Sequence, residues 1–257
     1  MRRHEFPIIE HDPCVEAIIN PAPGKEGFRL PERAVLCFPH DTIDSLVTAE
    51  GLAPVTHLKS AMGKRCVYAM EAFGMNIAVC QPGLCAPFAA ASLDAIIALG
   101  VRKVVSCGTC GVLDSEMPKG MIVVPTCAVR DEGTSYHYLP PGREVECTQS
   151  VVPVIEDVLR SHDCHYVLGK TWTTDGFYRE TPTRVKRRRD EGCLTVEMEA
   201  AAMFAVAKFR GIRMGMLLHC RDDVSGDVWD PRGDRGVGVF GGDEKIFWLA
   251  MEVCAKL

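Results

Sequence analysis

Two carboxylates one residue apart carry the first chemical signal in the chain. The segment Thr195-Val-Glu-Met-Glu-Ala-Ala-Ala-Met-Phe-Ala-Val-Ala-Lys-Phe-Arg-Gly211 begins as a short apolar run. At Glu197 and Glu199 it turns into an Ala-rich stretch of good helix propensity, and Gly211 is a suitable stop. The two glutamates therefore sit where a buried strand hands over to a helix. Open α/β sheets bind ligands beyond the carboxyl ends of their strands, and alternation puts residues i and i+2 of an extended segment on one side. Ionised carboxylates only accept hydrogen bonds, which suits the vicinal hydroxyls of a sugar. The same pair also fits a helix cap, because acidic residues favour a first turn. Both readings stand from these residues alone.

Other constellations have similar double readings. Cys107-Gly-Thr-Cys-Gly111 follows a strand and offers backbone N–H groups and the Thr109 hydroxyl, the makings of an anion nest, or simply a glycine turn. Its Cys-x-x-Cys fits a redox motif only if it opens a helix, and Gly111 and Pro118 oppose one. No second such pair supplies zinc ligands, so no metal is expected. The loop Arg130-Asp-Glu-Gly-Thr-Ser-Tyr-His-Tyr138 concentrates residues of site-building type. Asp222-Asp223 at a strand end fits either a carboxylic acid raised by a like-charged neighbour or a loop cap. Phe177 and Tyr178 suit stacking on a heterocycle, though aromatics more often fill cores. The basic run 184–189 reads as a solvated helix face, given Asp190, Glu191 and the acidic balance.

The elements that must position these groups alternate along the chain. Strands are expected at 34–38, 66–70, 76–80, 103–106, 121–125, 165–171, 193–199 and 213–219. Helices are expected at 40–50 (capped by Asp41 or Thr42), 88–99, 151–161, 183–191, 200–210 and 243–257. A short lead-in strand is expected at 15–19, a hairpin about Phe73-Gly74, and a mobile Gly-rich segment at 233–242. This order argues a single three-layer α/β/α domain over residues 1–257 with a central mixed, largely parallel sheet. Polar loops at 107–111, 172–178, 197–199 and 220–223 mark the expected site. At 257 residues the chain can bury a full core. A net charge of −5 calls for neither nucleic acid nor an anionic membrane. Thirteen cysteines without an apolar leader read as reduced thiols of a soluble cytoplasmic protein.

Together these residues resemble a known family. Val196-Glu-Met-Glu-Ala-Ala201 looks like the ribose-binding signature of the family 1 nucleoside phosphorylases, which include purine nucleoside phosphorylase, uridine phosphorylase and the methylthioadenosine nucleosidases. Gly108-Thr-Cys-Gly111 resembles that family's Gly-Ser/Thr-x-Gly loop, and 121–137 is most similar to the uridine-phosphorylase branch. Phe177-Tyr178 matches the family's base-stacking pair. The resemblance implies cleavage of a nucleoside's N-glycosidic bond with phosphate as co-substrate and no other cofactor. It implies Glu197, Met198 and Glu199 on ribose, and Gly108, Thr109 and Ser106 about phosphate or water. It further implies Phe177 and Asp222 at the base, Arg184 as a substitute base reader, and Asp222 with Glu199 as the catalytic pair. A homo-oligomer (dimer, trimer or hexamer) is implied too, with His11 or His4 as candidates to reach a partner's ribose.

The phosphate site departs from the family pattern. Asn20-Pro-Ala-Pro-Gly-Lys25 stands where family phosphorylases carry Gly-Asp-Pro-x-Arg, Ser106 where a second arginine is expected, and Met62 near a third. Lys25, Lys59, Lys64 or Arg65 are the candidates to restore that charge. Thr181 and Thr183 replace the Gln and Arg that read uracil in uridine phosphorylases. Hydrolysis by water, as in the family's nucleosidases, and a non-catalytic nucleoside-binding protein remain alternative readings.

Overall fold

Among the residues described by the computed structural model (3–22, 25–233 and 241–257), ten strands join one mixed sheet. They are β1 (Arg33–Cys37), β2 (Thr56–Ser60), β3 (Gly63–Ala72), β4 (Met75–Cys80), β5 (Lys103–Val112), β6 (Ile122–Asp131), β7 (Glu144–Glu146), β8 (Tyr166–Thr174), β9 (Cys193–Glu197) and β10 (Arg213–Asp223). The helices are α1 (His40–Glu50), α2 (Ala86–Ala98), α3 (Val152–Ser161), α4 (Pro182–Asp190), α5 (Ala200–Arg210) and α6 (Gly241–Lys256). The expected α/β class with a central mixed sheet is what the chain adopts. Helices α2 and α5 cover one face through Leu93, Ile96, Met203 and Phe204. Helices α1, α3 and α6 cover the other through Ile43, Ile155 and Phe247. None of the helices among the described residues is long and apolar enough to cross a membrane.

The sheet closes on itself at one end. β5 pairs β10 in parallel, β10 pairs β6, β6 pairs β8, β8 pairs β9, and β9 returns antiparallel to β5. An arm of β1, β4, β3 and β2 extends from β5, and β7 borders β6. Half of the pairings among the described strands are thus antiparallel, more than the expected largely parallel sheet. Two of the antiparallel pairings, β10 with β6 and β9 with β5, belong to the ring; the others are β2 with β3, β3 with β4 and β6 with β7.

Two expected polar loops are strand instead. β5 and β10 run on side by side from Leu217 and Cys107 to Cys220 and Cys110. The glycines there serve close packing, not a turn: a methyl group at Gly108 would lie 3.1 Å from Phe38, and one at Gly111 3.2 Å from Val196. With the ladder intact, 107–111 is no anion nest. Cys107 and Cys110 also fall on opposite faces of β5, in different core clusters, which removes the redox motif.

Further differences have local causes. No strand forms at 15–19, where Ile18 and Ile19 are fully exposed. The Asn20 amide bonds both the N–H and the carbonyl of Ala17, giving the backbone a turn in place of a ladder. Pro39, not Asp41 or Thr42, precedes α1 at the cap position, without a side-chain cap bond. β2 was not expected. The hairpin at Phe73 and Gly74 forms as expected, with φ of 52° and 72°. Most of the Gly-rich segment 233–242 lies outside the described residues.

Candidate active site

A cavity of about 660 Å³ opens where β5, β9 and β10 end, and the β9–α5 junction supplies its floor. Glu197 and Glu199 both border it, yet their chemistry differs. Both Glu197 oxygens are taken: Oε2 accepts the N–H groups of Glu199 (2.7 Å) and Ala200 (2.6 Å), and Oε1 accepts the Thr173 hydroxyl (2.6 Å). Thr171 adds a long fourth bond at 3.5 Å. Glu197 therefore caps α5. Glu199 occupies the position before the first turn of α5, with φ −137°. Its Oε1 accepts the Cys85 N–H at 2.7 Å, and the Met198 backbone N–H also favours its charged form. Burial raises the pKa of both carboxyls, and the neighbouring Glu197 charge raises Glu199 further.

The Cys85 N–H reaches Glu199 because Cys85 holds an unusual backbone, φ 70° and ψ 153°, just before α2. A non-glycine residue in that region carries strain on the order of 1–3 kcal/mol, and such residues cluster at functional sites. Nothing in the sequence signals it.

Across the cavity, the 3-10 turn Phe177–Arg179 places a half-exposed Phe177 beside Tyr178, ring centroids 4.0 Å apart. Asp222, near the end of β10, borders the cavity with Thr109 of β5. Its Oδ2 accepts the Trp229 indole N–H at 2.8 Å. Trp229 arrives on a loop that folds back through a two-way backbone bridge between Asp223 and Asp230. Asp223 points elsewhere, to Arg232 (2.9 Å) and the Ser225 N–H. Glu180 also borders the cavity; burial and the charge of Asp222 push its pKa up to about 7. Glu180 and Trp229 escaped the sequence reading, because only the folded turns bring them to Asp222.

A model of the phosphorylase superfamily matches residues 34–234. The chain belongs to this superfamily. A guanosine phosphorylase of Halorubrum lacusprofundi is 33% identical over 148 residues, 56% of this chain and 60% of that protein. The chain spans about three fifths of the length of the curated relatives it matches. The fold is similar to that of a uridine phosphorylase from Vibrio fischeri ES114, with a TM-score of 0.74 at 22% identity over 89% of this chain and 93% of that one. It is similar also to an AMP nucleosidase from Bacteroides thetaiotaomicron, with a TM-score of 0.70 at 20% identity over 88% of each chain.

Of the expected site residues, Met198, Glu199, Thr109, Phe177 and Asp222 meet at one cavity, with Glu197 bordering it as well. Three expected site residues do not. Ser106 is fully buried within β5, its hydroxyl unpartnered and away from the cavity. Gly108 backs onto Phe38. Arg184 lies on α4, which turns it 4.0 Å from Asp131 instead of toward the base. That side of α4 is anchored, not merely solvated: buried Arg188 pairs with Asp131 (2.8 Å) and Glu191 (3.1 Å) beside the Trp172 ring. The loop 130–138 braces itself too. Arg130 bonds the Ser135 hydroxyl and the Pro140 carbonyl and stacks on Tyr136, while Glu132 accepts the Ser135 N–H.

Proposed function

We propose that this member of the phosphorylase superfamily cleaves the N-glycosidic bond of a nucleoside, with inorganic phosphate as the attacking co-substrate and no other cofactor. The single observation that carries this is Glu199. A buried carboxyl with Oε1 fixed by the Cys85 N–H borders the same cavity as a stacking ring and a second carboxyl. Glycosidic cleavage puts positive charge on the sugar and negative charge on the departing base. Glu199 with Met198 holds the ribose hydroxyls, and its ionised form, which gains as pH rises toward its raised pKa, offsets the developing oxocarbenium charge. Phe177 stacks on the base, Asp222 meets its edge, and the Thr109 hydroxyl orients the nucleophile. The C1′–N bond breaks with its electron pair going to the base, and an oxygen of phosphate bonds C1′.

The phosphorylase relatives support phosphate as the nucleophile. One observation favours a second reading, hydrolysis: among the described residues no lysine or arginine borders the cavity. Arg65, a candidate for that charge, is engaged with the Ser92 hydroxyl (2.7 Å) and the Phe88 ring, while Lys59 and Lys64 lie exposed on the β2–β3 hairpin. A phosphorylase of this design takes its cation from beyond these residues. We further propose a single cytoplasmic domain that works as a homo-oligomer. Its thirteen free thiols and the exposed Phe6, Ile18 and Ile19 of the N-terminal segment support that reading.

The test incubates uridine, cytidine, inosine, adenosine, guanosine and methylthioadenosine with the chain, with and without phosphate, and follows base and sugar. Phosphate-dependent release yielding ribose 1-phosphate is the expected result. Release without phosphate, giving free ribose, establishes the hydrolase. Saturable binding with no release from any nucleoside overturns the catalytic reading and leaves a nucleoside-binding protein.

A further inference from the structure

We propose that the substrate is a base-modified nucleoside whose exocyclic amine carries a chain ending in a carboxylate, and that Arg189 of α4 takes that carboxylate. This rests on the glycosidic cleavage proposed above and names the substrate class of the same site.

A second opening adjoins the cavity. A cleft of about 720 Å³ runs between α4 and the loop that follows β10. Pro182, Gly226 and Asp227 line both the cleft and the cavity, so the two form one continuous space. The junction lies at the base end. Pro182 follows the stacking residue Phe177 by five positions, and Gly226 follows Asp222 by four. Glu197, Met198 and Glu199, at the sugar end, border the cavity and not the cleft. A group that occupies the cleft is therefore attached to the base and not to the ribose. The cavity alone, at about 660 Å³, is of a size that takes a small molecule whole, so an unmodified nucleoside leaves the cleft unfilled.

Helix α4 is held so that one face lines this space. Arg184 and Arg188, one turn apart, both turn to Asp131, and Arg188 is buried there. The side that carries Pro182, Val185 and Arg189 borders the cleft. Pro182 and Arg189 are seven residues apart, about 10 Å along a helix axis. The basic run thus has two faces, one spent on anchoring the helix and one open to a ligand.

The lining gives the chemistry of the substituent, read outward from the base. Asp227 comes first, since it borders both spaces; a carboxylate only accepts hydrogen bonds, which suits the N–H of a substituted exocyclic amine. Pro182 and the buried Val185 follow as an apolar wall for methylene groups. Two cations stand on the same helix, and only one is spent. Lys186 holds Asp190 at 2.7 Å, whereas no side-chain partner meets Arg189 among the described residues. A guanidinium presents a fork of donors that matches a carboxylate. Asp190 and Asp227 border the same cleft, so a singly charged carboxylate fits there better than a dianionic phosphate. An acceptor, an apolar spacer and a cation in that order match a carboxyalkylamino chain. The bond that breaks is still the glycosidic one, and the chain leaves with the base.

The experiment measures kcat/KM for N6-(4-carboxybutyl)adenosine and N4-(4-carboxybutyl)cytidine, for their amide-ended counterparts, and for adenosine, cytidine and uridine. Base release is followed with and without phosphate in wild type and Arg189→Ala, after thermal melts verify folding. The wild type is expected to prefer an acid-ended chain over its amide counterpart by about 10-fold, the worth of one hydrogen-bonded charge. Added salt should shrink that preference. Arg189→Ala should bring the acid-to-amide ratio to about one, chiefly by loss on the acid. A variant that loses equally on acid and amide would make Arg189 structural and overturn the proposal, and so would a variant that keeps the wild-type ratio. A wild type that treats acid and amide alike, or that cleaves plain nucleosides and refuses every substituted one, overturns the proposal and leaves glycosidic cleavage standing. A chain that cleaves nothing, plain or substituted, defeats the reading beneath it.

Discussion

Glu197 and Glu199 are the same residue type two positions apart, and their partners alone divide their work. Glu197 spends both oxygens on backbone N–H groups and a threonine; Glu199 takes the Cys85 N–H and borders the cavity. The folded state raises the Glu199 pKa above its unfolded value, so the folded chain binds the extra proton. Stability from this group is then greatest below the unfolded carboxyl pKa and declines as pH rises through the raised value. Glu199→Gln removes the decline. It should abolish nucleoside turnover while stabilising the chain at pH 8 by on the order of 1–3 kcal/mol relative to wild type, with little difference at pH 4.5. Thermal melts at the two pH values check it, and an equal difference at both would contradict the assignment. At this scale the sequence exposed Glu199 and Asp222 by type and spacing. It could not expose Cys85, whose contribution is a backbone N–H 114 residues from its acceptor. Arg184 attracted notice by type alone, and the orientation of α4 turned it elsewhere.

The β9–α5 junction is the element on which the site depends. Glu197 satisfies the first N–H groups of α5, and Thr173 of β8 bonds both Glu197 and the Ala201 N–H, so three consecutive helix-start donors are held by two side chains. Glu197→Ala strands these buried groups and should destabilise the chain by about 2–4 kcal/mol in urea titration. A loss below about 0.5 kcal/mol, the range of ordinary surface changes, would mean water replaces the carboxylate. Helices were legible from the sequence because α1, α3 and α5 follow apolar periodicity and end at recognisable stops, Gly51 and Gly211 among them, while α4 showed itself as a charged run. The continuations of β5 and β10 were not. Glycine reads locally as a break, whereas here each strand is held by a ladder partner far away in the chain.

Over the whole molecule, the ring of β5, β10, β6, β8 and β9 places most thiols in the interior. Eight of the thirteen cysteines are buried, four are intermediate and Cys14 is exposed. Burial pushes the thiols of Cys80, Cys147, Cys193 and Cys254 up to about 12. A thiol reagent at neutral pH should therefore modify Cys14 promptly and the eight buried cysteines only after denaturant is added, with peptide mass mapping as the check. Rapid native reaction at Cys110 or Cys220 would contradict the packing of this core. The layers of the molecule followed from the alternation of strands and helices, but ring closure did not, because it depends on which strand edges meet and no local pattern encodes that. Closure also bears on colloidal behaviour. A strand whose two edges are bonded cannot template another copy, so among the described residues edge-to-edge aggregation is confined to β2 and β7. β2 is five residues long and carries Lys59; β7 is three residues long and begins and ends in glutamate. Short, charged borders of this kind resist fibril growth, and a chain so closed tolerates concentration at little risk of cross-β assembly.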